Sequence, residues 1–156
     1  MLRKTAIVTA LVAAGLAAIG STPAGAASHP VRFLSIQSDP PGTDDGSNAS
    51  LNQEFVVLKN FSSHSVKMGA YAVEIGNKEF DFPSGFTLQS GSKVWVHTGK
   101  GTDSRHDVYW GRTAYAYPNN PTFAVELWGP GGIQNGVTVS ELEDTCMVLT
   151  SANQPC

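Results

Sequence analysis

The chain has 156 residues, of which 15% are charged, and its formal net charge is −3. Its ten Lys and Arg residues are dispersed along the sequence, whereas polyanion binding needs them clustered, so nucleic acid is disfavoured as a partner. No segment after the N-terminal region is apolar over a length that would cross a bilayer.

The first 26 residues have the pattern of a secretory signal peptide. Arg3 and Lys4 precede an apolar run over residues 5–19, and the small residues up to Ala26 predict cleavage after that position. Because the apolar run is short, a retained membrane anchor is the weaker interpretation. Removing these 26 residues and their two basic side chains leaves 130 residues with a net charge of −5. We therefore expect an exported, extracellular domain.

Short strand-like runs recur through the exported part of the chain, separated by Gly, Pro, Asn and Ser. Gly76-Asn77 predicts a tight hairpin, and residues 129–132 (GPGG) predict a second hairpin loop. Helix signals are almost absent, and about seven to nine short strands favour a β-sandwich. The strand runs are residues 31–36, 54–59, 70–75, 78–82, 93–98, 107–110, 122–128 and 136–142. The predicted core includes Phe80, Phe82, Phe86, Val94, Val96, Phe123 and Val125.

The two cysteines, Cys146 and Cys156, lie near the end of the chain. An even number of cysteines in an exported protein predicts a disulfide, either within one chain or between two. Within one chain it would hold residues 146–156 as a tail on a sandwich domain of residues 27–145. Closing so short a loop stabilises a fold by about 2–3 kcal/mol.

The order of four segments resembles the lamin tail domain family, and most of all its secreted bacterial branch. The segments are GSNASLNQEFVVLKNFSSHSV, MGAYAVEI, FDFPSGFTLQSGSKVWVHTGKGTD and TFAVELWGPGGIQNGVTVSEL. Tyr71 stands where that family usually has Trp, and Ser90 where it usually has Pro. The resemblance covers residues 31–142 and implies an all-β, immunoglobulin-like β-sandwich. It also implies a module for interaction or attachment, often fused to secreted enzymes, rather than a catalyst.

A loop rich in oxygen ligands precedes the strand at residues 54–59. It contains Asp39, Asp44, Asp45 and Asn48. Hard cations such as Ca²⁺ take about six to eight oxygen ligands, but the register of an EF-hand loop is absent. The same residue types are ordinary in tight turns. We expect an entry turn, with a structural Ca²⁺ site as the alternative and no other cofactor.

Catalytic residues are not evident in the sequence. None of the four histidines has the local spacing of a metal site, although His97, Asp103, His106 and Asp107 could converge. There is no G-x-S-x-G motif, and disulfide-bonded cysteines offer no thiolate nucleophile. We therefore predict that the chain is not an enzyme.

An aromatic segment, residues 109–117, is the predicted contact region. Its candidate binding residues are Tyr109, Trp110, Arg112, Tyr115 and Tyr117. Aromatic side chains on loops offer contact area at low entropic cost, which suits recognition. The alternative is that these side chains close one end of the sandwich.

Three functions remain open from the sequence. The first is a secreted non-catalytic module that binds an unknown extracellular protein or surface polymer. The second is a small secreted metal-dependent hydrolase that uses the loop at Asp39–Asp45, and the third is a purely structural envelope component. Asn48-Ala49-Ser50 and Asn60-Phe61-Ser62 match the N-glycosylation pattern, whose use depends on the source.

Overall fold

The computed structural model describes residues 29–118, 122–134, 137–149 and 153–156, and the predicted signal peptide lies outside this part of the chain. The described residues form eleven strands and one short helix. In chain order these are β1 (Val31–Gln37), α1 (Asn48–Leu51), β2 (Phe55–Asn60), β3 (Val66–Lys67), β4 (Ala72–Ile75), β5 (Lys78–Asp81), β6 (Thr87–Leu88), β7 (Lys93–His97), β8 (Asp107–Tyr109), β9 (Phe123–Gln134), β10 (Val137–Val148) and β11 (Gln154–Pro155). No helix in this part of the chain is long and apolar enough to cross a membrane. The all-β prediction is therefore confirmed.

The larger sheet has the strand order β11-β1-β2-β7-β8. Its strands pair antiparallel except for β8, which runs parallel to β7. Alternation along β7 buries Val94 and Val96 and turns Lys93, Trp95 and His97 to the outer face. The larger sheet therefore has one apolar face and one face that carries charged and aromatic side chains.

The smaller sheet has the order β10-β9-β4-β5, and β3 pairs with β6 beside it. The predicted hairpin at Gly76-Asn77 joins β4 to β5. Gly76 has φ of 62°, a left-handed conformation that glycine adopts without a steric penalty. Because this turn fixes the register, Val73 and Phe80 share the inner face, while Glu74 and Glu79 share the outer one.

The inner faces of the two sheets enclose a single apolar core. Five of the seven predicted core residues belong to it, and the other two, Phe86 and Phe123, are partly buried and pack against it. Tyr71 is 4% exposed, so it fills the interior position at which Trp was expected. Burial, and then the charges of Glu143 and Glu141, raises the pKa of Tyr71 to about 12.

The predicted hairpin loop at residues 129–132 was wrong. β9 continues through these residues to Gln134 and stays paired with β10. The pairing shifts register at two places, and the one between Thr138 and Ser140 lies opposite Pro130 and the glycines that follow it, as expected where proline and glycine interrupt a ladder. The position of Gly129 requires glycine, because the Glu143 side chain occupies the space that a Cβ atom on residue 129 would need.

The predicted disulfide joins Cys146 to Cys156 within one chain, with 5.6 Å between the two Cα atoms. Cys146 lies on β10 of the smaller sheet, and Cys156 follows β11 of the larger sheet. The Cys156 amide also donates to the Leu34 carbonyl at 3.1 Å. The bridge thus connects the two sheets and holds β11 against the edge of β1.

Candidate functional site

The acidic loop before β2 is organised by hydrogen bonds to its own backbone. Asp45 Oδ1 accepts from the Ser47 amide at 2.8 Å, and Ser47 Oγ accepts from the Ser50 amide at 3.1 Å as the N-cap of α1. The bonds from Ser47 lower the pKa of Asp45. Among the described residues, Asp39, Asp44 and Asp45 do not form a group of three ligands close enough to share an ion. The geometry suits an entry turn, and the Ca²⁺ site stays a prediction.

Asn48 binds the main chain of a distant loop. Its Nδ2 donates to the Lys100 carbonyl at 2.9 Å, and its Oδ1 accepts from the Lys100 amide at 2.7 Å. Asn52 donates to the same carbonyl at 2.9 Å. A Cβ atom on Gly99 would collide with the side-chain oxygens of both asparagines, so this close approach favours glycine. Both polar atoms of the Asn48 amide therefore serve to fix the loop.

The aromatic segment lies against the end of the sandwich. The Trp110 ring meets Phe80 at a centroid distance of 6.0 Å, and the Tyr115 hydroxyl lies 2.7 Å from Ser50 Oγ. Tyr109, Trp110, Arg112 and Tyr115 are half-buried. Tyr117 is only 4% exposed, so its ring belongs to the core rather than to a contact surface. That Tyr109, Trp110, Arg112 and Tyr115 contact a binding partner stays a prediction.

Glu54, which the sequence did not single out, holds this segment in place. It is 1% exposed, and its Oε2 accepts from the Ala116 amide at 3.0 Å. Burial raises the pKa of Glu54 to about 7, although the hydrogen bonds from the Ala116 and Tyr117 amides oppose the rise. The only signal in the sequence is an acidic residue at the start of an otherwise apolar strand.

Part of the predicted histidine cluster does converge. His97 Nε2 lies 3.0 Å from Asp107 Oδ1, and its Nδ1 lies 3.0 Å from the Asn52 carbonyl. The ring stacks on Tyr109 with 5.0 Å between centroids. His106 makes its contact elsewhere, with the Lys93 carbonyl. Both nitrogens of His97 are therefore engaged by groups of the fold itself, the Asn52 carbonyl and the Asp107 carboxylate.

Asn60 closes the turn after β2 and is fully buried. Its Nδ2 donates to the carbonyls of His64 at 2.7 Å and Leu88 at 3.0 Å, while its Oδ1 accepts from the amide and hydroxyl of Ser62. A glycan cannot be attached to an amide that is fully buried and hydrogen-bonded. The Asn60-Phe61-Ser62 pattern is therefore structural in the folded chain.

Three basic side chains form a row across the outer face of the larger sheet. Arg32 on β1 is opposite Lys59 on β2, and Lys59 is opposite Lys93 on β7. Side chains directly opposite each other in an antiparallel pair lie about 5 Å apart at Cβ. The ion pairs among the described residues involve histidines and include no lysine or arginine. The basic row (Arg32, Lys59 and Lys93) is therefore not neutralised within this part of the chain.

An exposed aromatic ring lies beside the basic row. Phe61 is 45% exposed, and its ring centroid is 4.2 Å from Cζ of Arg32 and 4.8 Å from Nζ of Lys59. The adjoining pocket has a volume of about 430 Å³ and is lined by His29, Pro30, Arg32, Phe61 and Ser62. A ring held by two cations at the surface offers both apolar area and positive charge to a partner.

The smaller sheet carries the opposite charge in the same arrangement. Glu79 on β5 is opposite Glu74 on β4, and Glu74 is opposite Glu126 on β9. Trp128 donates its indole N–H to Glu126 at 3.2 Å. The neighbouring Asp81 carboxylate is the main cause of a raised pKa at Glu79. We call Glu79, Glu74 and Glu126 the acidic row.

A scan against protein-family models matches the Lamin Tail Domain over residues 24–152, which is most of the chain. The chain belongs to the lamin tail domain family. A search of curated proteins found no match. Lamin tail domains are non-enzymatic immunoglobulin-like domains, and this membership supports a non-catalytic interaction module in general terms.

The lamin tail sandwich brings together residues that the sequence separates. The basic row draws one residue from each of three strands. Lys59 on β2 and Lys93 on β7 are direct neighbours in the sheet although more than thirty positions separate them in the chain. Dispersed basic residues in the sequence are therefore compatible with a local cluster in the fold. Strand order and register, neither of which is evident from composition, decide where the charges lie.

Proposed function

We propose that this lamin tail domain is an exported, non-catalytic attachment module that binds an acidic macromolecule through the basic row and Phe61. The observation that carries the proposal is the Phe61 ring, exposed and within 5 Å of two cations that have no carboxylate partner among the described residues. Family membership supports an interaction role without specifying the partner.

The energetics favour an external partner for this face. Like charges directly opposite in a sheet destabilise it by a few tenths of a kcal/mol per pair. Lys59 faces a cation on both sides, so the basic row costs stability in the free chain. A partner with closely spaced carboxylates or phosphates relieves that repulsion, and the exposed Phe61 ring adds apolar contact.

The partner that fits this surface is an extended acidic chain, either an acidic protein segment or an anionic surface polymer. The basic row runs across the strands β1, β2 and β7, so an extended polyanion can meet its three charges in succession. The surface is a sheet face rather than a deep cleft, which suits attachment better than the enclosure of a small molecule.

Binding to poly-L-glutamate and to polyphosphate tests this proposal. The variant Arg32→Glu/Lys59→Glu/Lys93→Glu should lose binding, while Lys67→Glu, which alters a lysine on β3, should bind as the unaltered chain does. Raising salt from about 50 mM to about 200 mM should weaken binding of the unaltered chain by about 20- to 40-fold, because three phosphate or carboxylate contacts release counterions.

Two results would contradict the proposal. One is equal binding by the triple variant and the unaltered chain. The other is loss of binding in Trp110→Ala/Arg112→Ala with full binding in the triple variant. The second result would indicate that the partner binds to the aromatic segment, where the Arg112 guanidinium lies 5.2 Å from the Trp110 ring centroid.

Export is a further part of the proposal, supported by the leader pattern of residues 1–26 and by the disulfide. Expression in a secreting host and mass spectrometry of the product test it. We expect an N-terminus at Ala27. Recovery of the uncleaved chain inside the cells would contradict export.

We also propose a Ca²⁺ site in the acidic loop before β2. Its support is the set of oxygen ligands that the loop offers within a short stretch of sequence, at Asp39, Asp44, Asp45 and Asn48. A ligand that binds only the folded state raises its melting temperature. A rise in millimolar Ca²⁺ that Asp44→Asn/Asp45→Asn abolishes would support the site. An unchanged melting temperature after EDTA and after Ca²⁺ would contradict it.

A further inference from the structure

Residues from the two ends of the described chain converge beside β10. His29, Glu141 and Glu143 each offer one ligand atom, and these atoms all lie within 4.8 Å of one another. His29 Nδ1 is 2.7 Å from Glu143 Oε2. Local sequence patterns do not reveal this group, because more than one hundred positions separate the histidine from the two glutamates.

The group is built around a buried carboxylate. The Glu143 side chain is 4% exposed, and its carboxylate hydrogen-bonds to His29 and to no other side chain in the described part of the chain. Gly129 leaves the space that this carboxylate occupies. Glu141 is exposed at the mouth of the group. A buried charge normally requires a partner of opposite charge, and His29 supplies at most one positive charge against two carboxylates.

The ligand types select a metal class. Zinc binds imidazole nitrogen and carboxylate oxygen at about 2.0–2.2 Å in a tetrahedral arrangement, so its ligand atoms lie about 3.5 Å apart. The three ligand atoms lie within 4.8 Å of one another, and a movement of the exposed Glu141 side chain by about 1 Å brings the group into that range. An imidazole among carboxylates favours a transition metal over Ca²⁺ or Mg²⁺, which prefer oxygen ligands.

We propose that His29, Glu141 and Glu143 bind one divalent transition metal ion, for which Zn²⁺ is the test ion. The ion takes the place of the hydrogen bond between His29 Nδ1 and Glu143 Oε2, and its two positive charges neutralise the two carboxylates. Three protein ligands leave at least one position open to water. The site ties the start of the domain to β10, next to the pocket that His29 lines beside Phe61.

The proposal does not rest on the acidic partner proposed above, and its test needs no partner. Zn²⁺ is titrated by calorimetry into the exported chain, after EDTA treatment and dialysis. We expect one equivalent of zinc to bind. Glu141→Gln, Glu143→Gln and His29→Ala should each weaken zinc binding by about tenfold or more.

Matched controls separate this site from other histidines and carboxylates. Glu126→Gln and His64→Ala, which alter residues outside the group, should bind zinc as the unaltered chain does. Glu141 is exposed, so its substitution tests the site even where Glu143→Gln disturbs folding.

Three outcomes would overturn the proposal. The first is the absence of zinc binding by the unaltered chain. The second is unchanged affinity in the properly folded Glu141→Gln variant. The third is binding that survives Glu141→Gln/Glu143→Gln but disappears when the N-terminal amine is acetylated. That result would assign the zinc to His29 and a free amine close to it in the processed chain, rather than to the carboxylates.

Discussion

The outer faces of the two sheets carry opposite charges in the same geometry. Lys59 is the centre of a cross-strand row of three cations, and Glu74 is the centre of a cross-strand row of three carboxylates. The two faces differ in how they tolerate repulsion. The ring of Phe61 contacts two of the cations, whereas the indole of Trp128 donates a hydrogen bond to one of the carboxylates.

This difference has a consequence for pH. The ordinary pKa values of lysine and arginine side chains lie above 10, far from physiological pH. The Asp81 carboxylate raises the pKa of Glu79, so on acidification this member of the acidic row takes up a proton before a carboxylate without such a neighbour does. The basic row lacks that means of relief, which favours relief by a partner.

The largest expected effect comes from Glu54, a buried acid that belongs to neither row. Its folded-state pKa is raised from 4.5 to about 7, so its contribution to stability is fully present below about pH 4.5 and is lost as pH rises through 7. Between these limits we expect the unaltered chain to lose at most about 3 kcal/mol from this group. Urea unfolding across this range, compared with Glu54→Gln, measures the difference.

Salt distinguishes Glu54 from the acidic row in that experiment. Exposed carboxylates are screened by salt, whereas a buried one is screened far less. The pH dependence that Glu54→Gln removes should therefore persist at high salt. If Glu54→Gln and the unaltered chain have the same pH profile, the burial argument for Glu54 is wrong.

The next effect concerns the covalent link between the sheets that carry the two rows. Cys146→Ser/Cys156→Ser should lower the free energy of unfolding by about 2–3 kcal/mol, because the bridge closes a short loop. Urea unfolding measures this change, and the unaltered chain after reduction serves as the matched control. A double variant as stable as the oxidised chain would show that the bridge contributes little.

A somewhat smaller effect should follow from Asn60→Ala, which changes no charge. Asn60 is the buried residue that follows Lys59 of the basic row on β2. The substitution leaves the buried carbonyl of Leu88 without its side-chain donor, and an unsatisfied group of that kind costs about 1–3 kcal/mol. Urea unfolding should show a loss of about 2 kcal/mol. Asn48→Ala is the control, since its hydrogen bonds to Lys100 are exposed and their loss should cost less. Equal losses in both variants would contradict the role of burial.

Local patterns were enough to predict much of the fold. The glycine at position 76 and the alternation on either side of it predicted the β4–β5 hairpin, and period-two patterns predicted the inward-facing Val94 and Val96. The loop at residues 129–132 was mispredicted because proline and glycine usually end a strand, whereas here the ladder with β10 continues past them. Nothing local indicates that a neighbouring strand will supply the carboxylate that fills the space beside Gly129.

The charged surfaces differ in how far the sequence could predict them. A hairpin turn fixes its own register, so the Glu74–Glu79 pair follows from the turn at Gly76-Asn77. The Lys59–Lys93 pair depends instead on β2 and β7 becoming neighbours across a long connection. The same applies to His29 and Glu143, which meet only because the start of the domain lies beside β10. Local patterns therefore cannot predict these sites.

The smallest expected effect tests the two rows directly. Lys59→Glu and Glu74→Lys each replace two repulsive cross-strand pairs by attractive ones, so each should raise the free energy of unfolding by about 0.5–1 kcal/mol. Urea unfolding at low salt measures the gain, which should shrink in about 1 M salt because exposed charges are screened. Lys67→Glu, opposite Thr87, should change stability little.

The two reversals should nevertheless differ in binding. Lys59→Glu removes a cation from the Phe61 ring and should weaken the binding of poly-L-glutamate, whereas Glu74→Lys alters the opposite face and should leave that binding intact. A chain that becomes more stable while it binds less well indicates that the basic row is maintained for binding, at the expense of stability. Loss of stability in Lys59→Glu would instead make the row part of the framework of the sheet, and the proposed contact face would lose its main support.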